Sequence, residues 1–191
     1  MRLFVAANLD NVLRDEVHAG AARLRDAAPG VAWVRRELLH MTLKFVGEQE
    51  ASRVADFSRS LSALSAAAEP IDIRIHGYGA FPNFREPRVV WIGGDLPPRL
   101  SALAAAVDEA CAGYGVEPEQ RPFRAHITLG RVRRPLPREE RRQLEQAAQG
   151  RHEVLHWHVE SVELMSSELG PSGPTYTVVE SFALGGAPHT R

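Results

Sequence analysis

HMTLKFVGE at 40–48 and HITLGRV at 126–132 are two copies of one pattern, histidine, apolar residue, threonine, leucine, set a little under half the chain apart. Residues two apart in a β-strand project from the same face. His40 and Thr42 therefore point one way and Met41 and Leu43 the other, and His126 and Thr128 repeat this against Ile127 and Leu129. Each strand anchors in a core through its aliphatic pair and presents an imidazole beside a hydroxyl on the opposite face. One such pattern is what a half-buried histidine beside a β-favouring threonine leaves behind. Two copies, each followed within about ten residues by a helix, read as two related α+β halves facing each other across a cleft.

The rest of the chain fits that frame. Apolar periodicity predicts helices over 11–27 (Leu13, Val17, Ala21, Leu24), over 51–68 (Val54, Phe57, Leu61, Leu64) and from Pro97–Pro98 to Gly113 (Leu100, Leu103, Val107, Cys111). A fourth, heavily charged, runs from near Pro137 to Gly150. Strands are predicted over 2–7, 31–35, 40–46, 71–76, 88–92, 125–132, 154–164 and 176–184, with PSGP at 171–174 as the turn of a final hairpin. The expected fold is α+β and bilobal. Two pseudo-symmetric halves, each a mainly antiparallel sheet with outer helices, form a single domain over residues 1–191 with the active-site cleft between them.

The 191 residues, 44% of them hydrophobic, can bury a sizeable core, and a net charge of −1 supplies no global basic field, so any polyanion site must be local. Cys111 is the single cysteine, which excludes an intramolecular disulfide framework and suits a reducing compartment. The opening MRLFVAANLD is too short an apolar run for a signal peptide or a membrane span. The expectation is a cytoplasmic protein with no membrane association, acting as a monomer.

Two imidazoles titrating near neutrality can place a proton donor and a proton acceptor on opposite sides of a reacting centre, as in-line displacement at phosphorus requires. The hydroxyls of Thr42 and Thr128 can donate hydrogen bonds to non-bridging phosphate oxygens. This scheme needs no metal and no cofactor. Lys44, the only lysine, continues the parity of His40 and Thr42 and is expected to bring a cation to the substrate. Gly130, its counterpart, is expected to leave room for a ligand.

The chain resembles the two-histidine phosphoesterases, and among them the bacterial and archaeal RNA 2′,3′-cyclic phosphodiesterases, also called 2′-5′ RNA ligases. The resemblance rests on the two motifs and extends to RLFVAANL, FPNFREPRVVWIG at 81–93, RPFRAHITL and SSELGPSGPTYTVVESFAL. It implies metal-independent opening of a 2′,3′-cyclic phosphate to a 2′-phosphate, with His40 as proton donor and His126 as proton acceptor, on RNA ends or nucleotides. Three alternatives stay open: ligase or 2′-5′ phosphodiesterase activity in the same site, a non-catalytic RNA-end binding module, and a histidine metallohydrolase.

Further candidates are weaker in sequence. Arg131 has the opposite strand parity from His126, so it reaches a phosphate only if a strand end or bulge turns it back. Phe84 is a candidate for stacking on a base, whereas Phe81 suits the core equally well. Arg85, Arg88, Arg121 and Arg124 are candidates for the local positive field. His152, His156 and His158 share strand parity, yet only Glu160 joins them, so no metal site is assigned there. His18 and His189 are expected to face solvent, and Cys111 to lie in the core.

Overall fold

The computed structural model describes residues 1–171 and 173–185. Its strands are β1 (Arg2–Asn8), β2 (Ala32–Trp33), β3 (His40–Glu48), β4 (Ile71–Phe81), β5 (Val89–Gly94), β6 (His126–Arg131), β7 (Leu155–Val159), β8 (Ser161–Gly170) and β9 (Gly173–Ala183). The helices are α1 (Asn11–Gly20), α2 (Ala22–Ala27), α3 (Val54–Ala67), α4 (Pro98–Ala112) and α5 (Arg138–Gln149). Asp10 starts α1 by accepting the Leu13 N–H at 2.8 Å, and Pro98 opens α4, where a missing N–H costs nothing. The predicted stripe of α4, Leu100, Leu103, Val107 and Cys111, is buried. The first predicted helix is two, because the chain breaks and restarts at the buried Ala21.

The strands form two antiparallel sheets, ordered β3-β1-β8-β9 and β2-β6-β5-β4-β7. Helices α3 and α4 pack on the first, while α1 and α5 lie against the second, with α2 on α5. The architecture is thus the expected bilobal α+β one, but the lobes are not the two halves of the sequence. The first sheet takes β8 and β9 from the C-terminal part, and the second takes β2 from the N-terminal part. Leu3 and Val5 of β1, Met41 and Leu43 of β3, Ile127 and Leu129 of β6, and Val162 and Leu164 of β8 all feed one apolar cluster, so both motif strands are anchored in it.

The predicted strand over 154–164 is two strands in different sheets. Trp157 and Val159 are buried at one parity and Val162 and Leu164 at the other, so the alternation slips at Glu160. There the chain leaves β4's edge and crosses to β1. The β8–β9 hairpin forms as expected, with Ser172 of its turn outside the described residues, as is His189.

Candidate active site

Both motif strands carry a bulge at the same place. Val5 of β1 faces Lys44 and the next residue, Ala6, faces Thr42, so Leu43 is an extra residue in β3. Val90 faces Gly130 and Trp91 faces Thr128, so Leu129 is extra in β6. A bulged residue reverses the facing of its successors along the strand. Lys44 and Gly130 turn to the buried side, while Phe45 and Arg131 turn to the side of the histidines and are exposed.

This corrects the expectation for Lys44. Its side chain is 1% exposed, with Nζ 2.6 Å from Asp108 Oδ1 and donating to the Glu117 carbonyl at 2.6 Å, away from any substrate. Gly130 is likewise no ligand space, since a Cβ there would meet Val31 Cγ1 at 2.5 Å. Absence of a side chain lets β2 pack on β6. Arg131, by contrast, reaches the cleft through its bulge, and its positive charge acts on both imidazoles.

The two histidines are held alike. His40 Nδ1 lies 2.7 Å from the Leu38 carbonyl, and His126 Nδ1 lies 2.7 Å from the Arg124 carbonyl. A carbonyl only accepts, so Nδ1 carries the proton and Nε2 is the nitrogen that exchanges one in the neutral ring. Nε2 of His40 is 3.0 Å from Thr42 Oγ1. Burial pushes both pKa values below the ordinary imidazole value; the carbonyl contacts oppose this, and the charge of Arg131 adds to it, joined by Arg14 at His40 and by Arg124 at His126.

Aromatic rings fix each imidazole from the side. Phe4 and Tyr176 stand 5.1 and 5.3 Å from the His40 ring, Tyr176 edge-on at 89°. Phe81 stands 5.1 Å from the His126 ring at 87°, with Trp91 at 6.4 Å. Phe81, the last residue of β4, and Phe84, in the loop beyond it, lie in different surroundings. Phe81 lines the site, with the Arg124 guanidinium 5.7 Å above it, and Phe84 packs against the satellite cluster of Leu24, Val31, Val90 and Leu144. Phe84 is therefore corrected from a base contact to a packing residue.

Of the remaining arginines, Arg124 lies beside the site, while Arg85, Arg88 and Arg121 are exposed side chains without a described partner in it. His156 and His158 share the outer face of β7, where His158 Nδ1 is 2.7 Å from Asp72. His152 instead lies edge-on to Tyr78 at 4.4 Å. Among the described residues no group of three or more His, Cys, Asp or Glu is placed to hold a metal. An open hollow of about 650 Å³ flanked by Asp72, Arg74, Asp95 and His156 lies on that outer face and not at the histidine pair. Cys111 is buried, its thiol pushed up to about 11 by burial.

Phe4, Tyr176 and Trp91 were not legible as site residues, because their places depend on which strands lie side by side. Glu163 was missed too. It sits on the cleft side of β8 opposite Ala6, 5% exposed, accepting from the Asn8 N–H at 3.1 Å and from the Ser161 and Ser181 hydroxyls at 2.6 and 3.2 Å. Burial raises its pKa, and it ties β1 to β8 beside Asn8, the cross-strand partner of His40.

The family model for the 2′-5′ RNA ligase superfamily matches residues 13–171. A Methanothermobacter thermautotrophicus protein named RNA 2′,3′-cyclic phosphodiesterase is 38% identical over 184 residues, covering 96% of this chain and 99% of its own. Its namesake from Archaeoglobus fulgidus is 36% identical, covering 95% and 99%. The crystal structure of a Thermus thermophilus protein superposes with a TM-score of 0.79 at 31% identity, covering 97% and 99% of the two chains. That of E. coli LigT complexed with 3′-AMP gives 0.69 at 26%, covering 96% and 97%. With paired histidine strands, two antiparallel sheets and relatives that align end to end, this chain belongs to the 2′-5′ RNA ligase superfamily.

Proposed function

We propose that the chain opens 2′,3′-cyclic phosphates at RNA ends or on nucleotides to 2′-phosphates, acting as a monomeric cytoplasmic unit built of two related lobes. The observation that carries this reading is the pair of imidazoles, each with Nδ1 committed to a backbone carbonyl and Nε2 left to move a proton, under the shared charge of Arg131. The names of the archaeal relatives support the substrate, and the single buried Cys111 suits a reducing compartment. No helix among the described residues is long and apolar enough to cross a membrane.

In this reading His126, neutral, takes a proton from water as the oxygen attacks phosphorus, and His40, protonated, gives its Nε2 proton to the departing 3′ oxygen. The donor and acceptor assignment follows the family resemblance, since the near-symmetry of the motifs does not decide it. The Thr42 hydroxyl, 3.0 Å from His40 Nε2, gives its proton to a non-bridging phosphate oxygen, while the single Nε2 proton is kept for the 3′ oxygen. Thr128, on the same face of β6 as the neutral His126, offers its hydroxyl proton to a second phosphate oxygen from the other strand. Arg131 neutralises the non-bridging oxygens as charge builds. Burial and Arg131 both disfavour a protonated His40 in the empty site, and the substrate's own negative charge, entering beside them, restores it.

Hydrolysis of a nucleoside 2′,3′-cyclic phosphate, followed by phosphorus NMR with and without EDTA, tests this reading. A 2′-phosphate product at a rate unaffected by chelator is expected. A dominant 3′-phosphate overturns the assigned bond cleavage, and loss in EDTA restored by one divalent ion overturns the imidazole-only chemistry.

A further inference from the structure

On the face of the first sheet that carries His40 there is also a buried carboxyl group. Paired residues of adjacent strands share a face. The register sets Thr42 of β3 against Ala6 of β1, Ala6 against Glu163 of β8, and Glu163 against Ser181 of β9. In that row only the methyl group of Ala6 stands between Thr42 and Glu163. The next place along the cleft holds His40 against Asn8. Here the two ladders of β1 part. Pairing with β3 runs on to Asn8, whereas pairing with β8 stops at Ala6, because the chain before Ser161 turns away to β7 in the other sheet.

Glu163 fills the place this leaves. Its Oε2 accepts the Asn8 N–H at 3.1 Å, and its Oε1 accepts the hydroxyls of Ser161 at 2.6 Å and Ser181 at 3.2 Å. One carboxylate thus gathers donors from β1, β8 and β9 and carries the bonding of β1 past the end of its backbone ladder. Burying a carboxylate is costly, and the next residue on this face of β8 is the apolar Met165. A carboxylate accepts several hydrogen bonds in set directions, which an aliphatic side chain cannot do. What it holds is the backbone of Asn8, the residue across from His40 and the last of β1 before Asp10 caps α1.

We infer that Glu163 is a positioning residue for His40: by holding the Asn8 N–H and two serine hydroxyls, it fixes the end of β1 against which that imidazole is set. The inference rests on the proposed phosphodiesterase reading for the task of His40 and adds the group that keeps its Nε2 aligned with the departing 3′ oxygen. His126 has its own support on the second sheet, in the Arg124 carbonyl and the Phe81 ring. The action of Glu163 is therefore confined to one member of the pair.

The test reads the two imidazoles separately. Isotopically labelled histidine gives ring-nitrogen NMR signals, which His40→Ala and His126→Ala assign, and steady-state kinetics on adenosine 2′,3′-cyclic phosphate run alongside. Wild type, Glu163→Val and Glu163→Gln are compared. Glu163→Val should displace the His40 signals, leave those of His126 in place, and lower kcat by about 10- to 100-fold with KM little changed, the scale for a misplaced catalytic group. Glu163→Gln should return both readouts toward wild type, since its amide oxygen accepts from Asn8 and its amino group donates to a serine hydroxyl turned round. His40 signals and kcat at wild-type values in a folded Glu163→Val refute the inference. Equal displacement of both imidazoles refutes it too, because that marks general loosening of the fold. If Glu163→Val does not fold, the double variant Ser161→Ala with Ser181→Ala, which frees Oε1 and keeps the carboxylate, is judged by the same two readouts. If the wild type turns nothing over while the His40 signals alone move, the phosphodiesterase reading fails and the positioning role stands.

Discussion

Phe45 and Arg131 occupy corresponding positions in the two motif strands, each three residues beyond its threonine and each turned onto its histidine's face by a bulged leucine. The same one-residue reversal buries their neighbours Lys44 and Gly130. A duplicated backbone irregularity thus decides which side chains turn to the histidines' face, and the two copies have been filled with different chemistry.

Arg131 lowers the pKa of both histidines, in each case after burial as the larger cause. The bell-shaped dependence of kcat/KM on pH should therefore lie on the acid side of an exposed imidazole pair, with limbs belonging to the coupled pair. Removing a cation raises both pKa values, so Arg131→Gln should move both limbs to higher pH. It should also cut kcat/KM by about 10-fold or more through loss of a charge-assisted contact to phosphate. A shift to lower pH would contradict the placement of Arg131.

His40→Ala and His126→Ala should each lower the single-turnover rate by about 10² or more, the range for loss of a positioned acid or base, while nucleotide binding survives better. Thr42→Ala and Thr128→Ala remove one hydrogen bond each and should cost less. Quench-flow rates on folded variants, checked by circular dichroism, decide this. A histidine variant that retains wild-type rate is not a proton carrier.

Lys44→Met should reduce stability and leave turnover per folded molecule unaffected. The buried ammonium holds Asp108 and the Glu117 carbonyl. Removing it strands both, at a cost of about 1–3 kcal/mol given that Asp108 keeps some solvent. Urea denaturation measures the first expectation and steady-state kinetics the second; a raised KM with unchanged stability would return Lys44 to the substrate.

Gly79→Ala tests the wall behind His126. A Cβ at Gly79 would stand 2.2 Å from the Trp91 ring, and Trp91 flanks both Phe81 and His126. Forcing that ring aside should cost about 1–3 kcal/mol and lower turnover by displacing His126. Tryptophan fluorescence and thermal melts read the first effect. Wild-type stability and rate would show that the Trp91 ring yields freely.

The chemistry-bearing pairs are legible in the order of the residues alone. His40 with Thr42 and His126 with Thr128 share a face because side chains alternate along any extended strand, whatever lies beside it. The helix stripes and the final hairpin are legible for the same reason, as local periodicities. Even the bulge in β3 leaves a trace in the chain, since Met41 and Leu43 are followed in the core by Val46, a change of parity in the apolar pattern. Everything set by neighbouring strands came instead from the folded chain. The partner strand's register makes Leu43 and Leu129 extra residues, and so sends Lys44 inward and Arg131 outward. Sheet order brings Phe4 and Tyr176 to His40, and packing on a helix-lined cluster draws Phe84 away while Phe81 stays at His126. Facing along one strand is a local consequence of backbone geometry, whereas contact across strands depends on a pairing chosen by the burial of the whole chain.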